Sequence, residues 1–301
     1  MPSLERLRGR HPVVGVVSQP DRPRGRGRRP SPSPVAACAL AAGIPLWRPE
    51  RVGDAESVAA LRALAPDLGV VVAFGQFLPR AVRELPRLGY LVNAHASLLP
   101  RHRGAAPIAR AILAGDAETG ISVMRVERTM DTGPVALERR TPIGPEETAG
   151  ELEGRLAALA ALALEEALEE IAAGAVVWRP QDDAAATLAP KLGREDALLD
   201  FAEPAEALAR RVRALAPRPG AVALLAGERL RILGARALPG APGVPPGTAR
   251  TAEGALRIAT GDGWLVPTRL QRAGGRPLAT DEFLRGHPIA DGTRLARADA
   301  A

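Results

Sequence analysis

The sequence predicts an α/β chain in which a mostly parallel, doubly wound sheet is followed by a small β-barrel. Three observations carry this. In the first half, short apolar runs alternate with helical patterns, as expected of a parallel sheet covered by helices. After Trp178 that texture stops, and residues 181–193 (QDDAAATLAPKLG) lack sustained periodicity. From Ala221 onward short apolar runs recur at about ten-residue spacing between glycine turns, the pattern of a small barrel or sandwich.

The elements follow in order. His11–Ser18 (HPVVGVVS) is a buried strand, and residues 33–42 form a helix with Ser33 as N-cap, Pro34 at the first position and Gly43 beyond the end. A helix over 55–65, a strand over 68–74 and a third strand over 89–95 (GYLVNAH) come next. Residues 107–114 read as a helix, 120–126 and 134–140 as strands, and 146–173 as a long amphipathic helix with a solvated glutamate face. An amphipathic helix over 204–215 precedes the strands AVALLA, RLRILGA, ALRIAT and GWLVPTRL.

A chain of 301 residues suits roughly two domains. Its formal charge of +6 says little by itself, because 39 of the 40 basic residues are arginine in an Ala-, Gly- and Pro-rich chain. The distribution says more: residues 19–35 carry +4, residues 36–190 carry −5 and residues 191–301 carry +5. Two basic segments flanking an acidic body are a footprint for a polyanion. A single cysteine, Cys38, excludes an intrachain disulfide and a cysteine-based zinc site, which fits the cytoplasm. The four histidines are scattered, so no metal is expected. No run is long and apolar enough for a membrane span, and no signal peptide is visible.

Chemistry concentrates in NAHASLLPRHRGAAP (93–107) and MDTG (130–133). Asn93 and His95 stand two apart at the end of a strand, so their side chains project from one face. In an open parallel sheet that end is where ligands bind. An Asn amide can donate to a developing oxyanion, an imidazole can give or take a proton at neutral pH, and a carboxylate such as Asp131 can orient it. Equally, one histidine at a strand end reads as a satisfied structural residue. Ser97 has no nucleophile elbow and Cys38 sits in an apolar helix, which favours direct transfer to an amine over a covalent intermediate. His102 reads as a solvent-facing loop residue. Arg101 and Arg103 are open to three roles: orienting an anionic group, capping the next helix, or staying solvated.

The segments NAHASLLPRHRGAAPI and MDTG, joined to QPDRPRGRGRRPSPSPV and a C-terminal barrel, resemble the folate-dependent formyltransferases over about residues 2–295. The resemblance implies a Rossmann-like catalytic domain over 1–180, a linker over 181–203 and an OB-like tRNA-binding domain over 204–301. It implies 10-formyltetrahydrofolate as formyl donor and the α-amino group of methionine on initiator tRNA as acceptor, in a monomer that engages neither DNA nor membrane. Asn93 would hold the formyl oxygen, His95 would assist proton movement, and Asp131 would position His95 and help deprotonate the amine. Ser97, Leu98, Leu99 and Pro100 would line the folate site, with weaker contacts from the backbone near Phe74 and Gly75. An amino sugar, glycinamide ribonucleotide or water remain alternative acceptors. So does a non-catalytic RNA-binding role on a degenerate version of the fold.

The insert DRPRGRGRRPSPSP (21–34) is longer than the about 2 to 6 residues that a strand-to-helix connection needs. It is no P-loop, since no GK[ST] follows. Arg22, Arg24, Arg26, Arg28 and Arg29 are therefore expected to grip tRNA phosphates, for which guanidinium suits bidentate contact. By the resemblance, the family opens with a strand and a GTPxF-like turn before a helix ending in PSLERL. Met1-Pro2-Ser3-Leu4 already lies at that helix, so the first, central strand has no counterpart and an upstream segment is expected.

Overall fold

The computed structural model describes residues 1–24, 29–252 and 255–298. Its first elements are helix α1 (Pro2–Arg8), strands β1 (Val16–Val17), β2 (Arg22–Arg24) and β3 (Arg29–Ser31), helix α2 (Pro34–Ala41), strand β4 (Leu46–Trp47) and helix α3 (Ala55–Ala63). There follow β5 (Gly69–Val71), α4 (Arg80–Arg83), β6 (Leu91–His95), α5 (Pro107–Ala114), β7 (Glu118–Arg125), β8 (Val135–Pro142) and α6 (Ala149–Ala172). The remainder comprises α7 (Ala205–Leu215), β9 (Ala221–Leu225), β10 (Glu228–Pro239), β11 (Ala249–Ala252), β12 (Ala255–Ala259), β13 (Gly263–Arg272), β14 (Leu278–Ala279), α8 (Thr280–Gly286) and β15 (Leu295–Arg297). Two compact units result. One comprises Met1–Gly104, Thr119–Thr141 and Arg155–Leu188; the other comprises Ala105–Glu118, Pro142–Gly154 and Ala189–Ala301.

In the first unit the local signals act as expected. Ser33 caps α2, its Oγ accepting from the Ala36 amide at 3.0 Å, and Pro34 occupies the first turn, where no amide hydrogen is needed. Helix α1 is anchored by buried Leu7 and by Glu165 on α6, a nearly buried carboxylate that pairs with Arg6 and, at 3.0 Å, with Arg10. Val52, Val58, Val82 and Leu91 form a core beneath β5 and β6.

The sheet differs from a single, mostly parallel one. β5 pairs in parallel with β6, but β6 pairs antiparallel with β7, and the order is β5-β6-β7-β8. β1 pairs in parallel with β4 in a separate two-stranded sheet. β1 and β5 therefore stand in different sheets. Only Val16 and Val17 of the expected strand over 11–18 are in a ladder.

Two short stretches of the basic insert are strand. β2 and β3 form an antiparallel hairpin that pairs Arg22 with Ser31, Pro23 with Pro30 and Arg24 with Arg29. Its base is pinned by the Ser18 and Ser33 hydroxyls, 2.6 Å apart, and by an ion pair between Asp21 and Arg48 at 2.6 Å.

In the second unit, strands run in the order β11-β12-β13-β10-β9-β15, with β14 on β13, and neighbouring strands pair antiparallel. The Ala249 amide donates to the Thr293 carbonyl and the Leu295 amide to the Gly247 carbonyl, both at 2.8 Å, so the two ends of the sheet meet and the barrel curls closed. A bulge at Gly234 bends β10 where a Cβ would lie 2.5 Å from the Thr268 hydroxyl. Leu208, Val212 and Leu215 on one face of α7 fill the core with Leu230, Ile232, Leu256, Leu265 and Phe283. Each such side chain contributes about 1.5 to 3 kcal/mol on burial. Helix α5 packs on α7 in this unit, and Arg110 of α5 holds Asp196 through two bonds of 2.8 and 3.0 Å. Of the α7 arginines, Arg211 is held by Glu203 and Arg213 lies 3.6 Å from Glu206. Residues 181–188 belong to the first unit and 189–203 to the second.

Candidate active site

Strand β6 delivers two of the three expected catalytic residues. Its central position places Asn93 opposite Val71 of β5 and Met124 of β7, with His95 opposite Ser122. Asn93 is half-buried. His95 is only 6% exposed. Its Nε2 lies 2.9 Å from the His102 carbonyl oxygen. That oxygen can only accept, so Nε2 carries the hydrogen in this contact. The other ring nitrogen, Nδ1, faces Asp131 Oδ2 at 3.6 Å. Asp131 Oδ2 in turn accepts from the Gly104 amide at 2.9 Å.

Two residues in the left-handed region shape this contact. Asp131 has φ 56° and His102 has φ 57°, a conformation that Asp and His adopt more readily than most residues. The Asp131 turn is pressed against β7: a Cβ on Gly133 would stand 2.0 Å from the Arg125 carbonyl oxygen, so only glycine fits there. Arg125 is itself clamped, its guanidinium lying 4.2 Å from the Tyr90 ring centre and 4.4 Å from that of Trp178.

His102 is a correction to the reading of that residue as solvent-facing. It is 7% exposed, its carbonyl binds His95 and its amide donates to the Thr187 hydroxyl at 2.8 Å. Arg103 is likewise buried, and its guanidinium is held by Gln181 and Asp183, so it neither caps the next helix nor stays solvated.

The loop after β6 divides in two. Ser97 is fully buried, its hydroxyl donating to the Arg101 carbonyl at 2.6 Å. Leu99 packs with Met124 and Val135, and its amide donates to the Ser122 hydroxyl. Those two side chains serve the loop's own structure. Leu98 and Pro100 are half-buried, with a cis peptide bond before Pro100. Of the expected tRNA contacts, Arg22 is exposed on β2, Arg24 and Arg29 are paired backbone positions, and Arg26 and Arg28 lie outside the described residues.

The sequence reading missed Gln181 and Thr187. The Gln181 Nε2 donates to the carbonyls of Asp131 (2.8 Å) and Gly133 (2.7 Å), while its Oε1 accepts from Arg103 Nε (2.9 Å) and Nη2 (2.8 Å). Thr187 also accepts from the Arg103 amide and donates its own to the Pro100 carbonyl. No motif or periodicity marks either residue. Among the described residues there is no cluster of three or more metal-ligating side chains, and no helix is long and apolar enough to cross a membrane.

An imidazole facing a carboxylate, on the strand that also carries Asn93, is an arrangement able to give or take a proton beside a bound group. The chain belongs to the formyl transferase family: residues 4–168 match the formyl transferase model and residues 191–288 match the formyl transferase C-terminal domain. It is 50% identical to the methionyl-tRNA formyltransferase of Halorhodospira halophila over 295 residues, 97% of this chain and 94% of that protein. It is also 50% identical to the methionyl-tRNA formyltransferase of Xanthomonas euvesicatoria pv. vesicatoria over 286 residues, 94% and 93% of the two chains. The crystal structure of WlaRD, a sugar 3N-formyl transferase in the presence of dTDP and 5-N-formyl-THF, superposes with a TM-score of 0.67 at 14% identity. That likeness covers 91% of this chain and 94% of WlaRD and concerns the fold.

Proposed function

We propose that this chain transfers the formyl group of 10-formyltetrahydrofolate to the α-amino group of methionine on initiator tRNA. The observation that carries this reading is the buried His95, tied through Nε2 to the His102 carbonyl and facing Asp131 through Nδ1, on the strand that also presents Asn93. Half identity to methionyl-tRNA formyltransferases along nearly the whole chain supports the choice of acceptor.

The residues account for the proton and charge changes. The neutral amine attacks the formyl carbon, and the carbonyl oxygen becomes anionic. The Asn93 amide donates to that oxygen, a contact worth about 10² to 10³ in rate when preorganised. Asp131, with the lone pair of His95 Nδ1 beside it, receives the proton the amine sheds. On collapse the bond from carbon to the folate N10 breaks and N10 takes that proton, so the enzyme returns to its starting state. Leu98, Pro100 and the backbone of the 97–100 loop border the donor. Arg22, Arg24, Arg26, Arg28 and Arg29 meet the phosphates of the acceptor arm, and the barrel supplies further contacts. The enzyme acts as a monomer in the cytoplasm.

The test offers 10-formyltetrahydrofolate with methionyl-initiator tRNA, methionyl-elongator tRNA, an amino-sugar nucleotide or no amine. Formyl-methionine on the initiator alone is the expected result. Formylation of the sugar, or folate hydrolysis without an acceptor, would replace this reading with one of the same fold. RNA binding without any turnover would make the chain a binding protein.

A further inference from the structure

We propose that Gln181 is a positioning residue that holds the His95–Asp131 contact in register; this rests on the reading above. Arg103 lies between the two residues that frame this contact. The residue before it supplies the carbonyl that binds His95 Nε2, and the residue after it supplies the amide that binds Asp131 Oδ2. Both sides of the contact thus depend on where one short segment, 102–104, lies. Its backbone is held at Thr187, whose hydroxyl accepts from the His102 amide and whose carbonyl accepts from the Arg103 amide at 2.9 Å.

Gln181 connects that segment to the opposite side of the site. Its amide nitrogen spends both hydrogens on the carbonyls of Asp131 and Gly133, and its amide oxygen accepts twice from Arg103. All four hydrogen-bonding positions of the carboxamide, two N–H donors and two oxygen lone pairs, are engaged. Asp131, like His102, has a left-handed backbone, and the bond to its own carbonyl holds the conformation that aims its carboxylate at His95.

The chemistry requires glutamine. Glutamate keeps the acceptors for Arg103 but sets a carboxylate oxygen against two carbonyl oxygens. Methionine keeps the length and loses every bond. Asparagine is one methylene short of spanning both partners. Asp183 cannot substitute, because its carboxylate meets Arg103 from a side chain that is 82% exposed, away from the Asp131 and Gly133 carbonyls that Gln181 holds.

The experiment compares the full-length parent with Gln181→Met and Gln181→Glu. Two quantities are read: steady-state kinetics with methionyl-initiator tRNA, and the His95 ring nitrogens by 15N NMR, assigned against a His95→Gln sample. In the parent the His95 hydrogen resides on Nε2. Both variants are expected to lose about 10- to 100-fold in kcat, the scale of a sub-ångström to 1 Å misplacement. KM for tRNA should stay within about twofold, and the His95 signal should move to a mixture of tautomers. Gln181→Glu keeps the Arg103 clamp and serves if Gln181→Met folds poorly. Parent-like kcat and an unchanged tautomer in the glutamate variant would overturn the proposal, as would a loss confined to KM. If the parent formylates none of the amines offered, the functional reading fails, while the tautomer still decides the role of Gln181.

Discussion

The Nδ1 of His95 stands 3.6 Å from Asp131 Oδ2 while the opposite ring nitrogen is committed to the His102 carbonyl. The imidazole therefore presents a lone pair, not a hydrogen, toward the carboxylate, and in the proposed reaction the two groups together receive the proton that the amine sheds. Asp131→Asn tests this. Asparagine tolerates the left-handed backbone and its amide oxygen can still accept from Gly104, so the fold should hold. It cannot receive a proton. The expected outcome is a loss of about 10² to 10⁴ in kcat with little change in melting temperature or in KM for tRNA. A variant with more than a tenth of the parent's kcat would remove Asp131 from the chemistry.

What the chain's own letters revealed follows from the kind of bond each feature uses. Helices α2 and α5 were legible to within a residue or so because Ser33, Pro34 and Pro107 mark their starts and Gly43 and Gly115 their ends. Asn93 and His95 were legible because alternation along a strand puts them on one face. Gln181 was not, since its bonds reach side chain to backbone across separations of 48 and 50 residues and leave no local periodic trace. The β2–β3 hairpin was also hidden: RPR and RPS carry no apolar alternation, and the ladder is made by backbone alone.

That hairpin gives the second prediction. Replacing Arg24, Arg26 and Arg28 with Ala should raise KM for tRNA about tenfold at moderate salt. Three lost phosphate contacts should also flatten the dependence of log(1/KM) on log salt by about 2 to 3. The apparent affinity for folate should stay nearly unchanged. A uniform fall in kcat with an unaltered salt slope would place these arginines outside the tRNA contact.

The Asp131 turn gives the third. Gly133→Ala sets a methyl group against the Arg125 carbonyl, a backbone atom that cannot swing aside, so the turn must move. Overpacking of this kind costs about 1 to 3 kcal/mol. Because Asp131 rides on the turn, kcat should fall by at least about tenfold as well. Melting temperature and kcat drop together here, in contrast to Asp131→Asn, where only kcat drops. A melt and a rate both equal to the parent's would show that the turn is not tightly seated.

Asp196 in the second unit gives a prediction about pH. Burial pushes its carboxyl up, but the two bonds from Arg110 and the Gly193 amide outweigh this and hold it below the ordinary carboxylate range. A depressed carboxyl stabilises the fold fully above its unfolded value, about 3.9, and stops doing so as pH falls through the lower, folded value. Asp196→Asn removes the charge and one acceptor of the Arg110 fork. It should therefore cost about 1 to 2 kcal/mol at pH 7, on the scale of hydrogen bonds to charged groups. The gap between variant and parent should narrow as pH falls below about 4, where the unfolded parent takes up a proton before the folded one, and close once pH passes the lower, folded value. Thermal melts of both proteins at pH 7 and pH 3 measure that gap. A difference that stays constant across the range would mean that the carboxylate contributes through shape alone, and that the Arg110 pairing adds nothing to the seat of α5 in this unit.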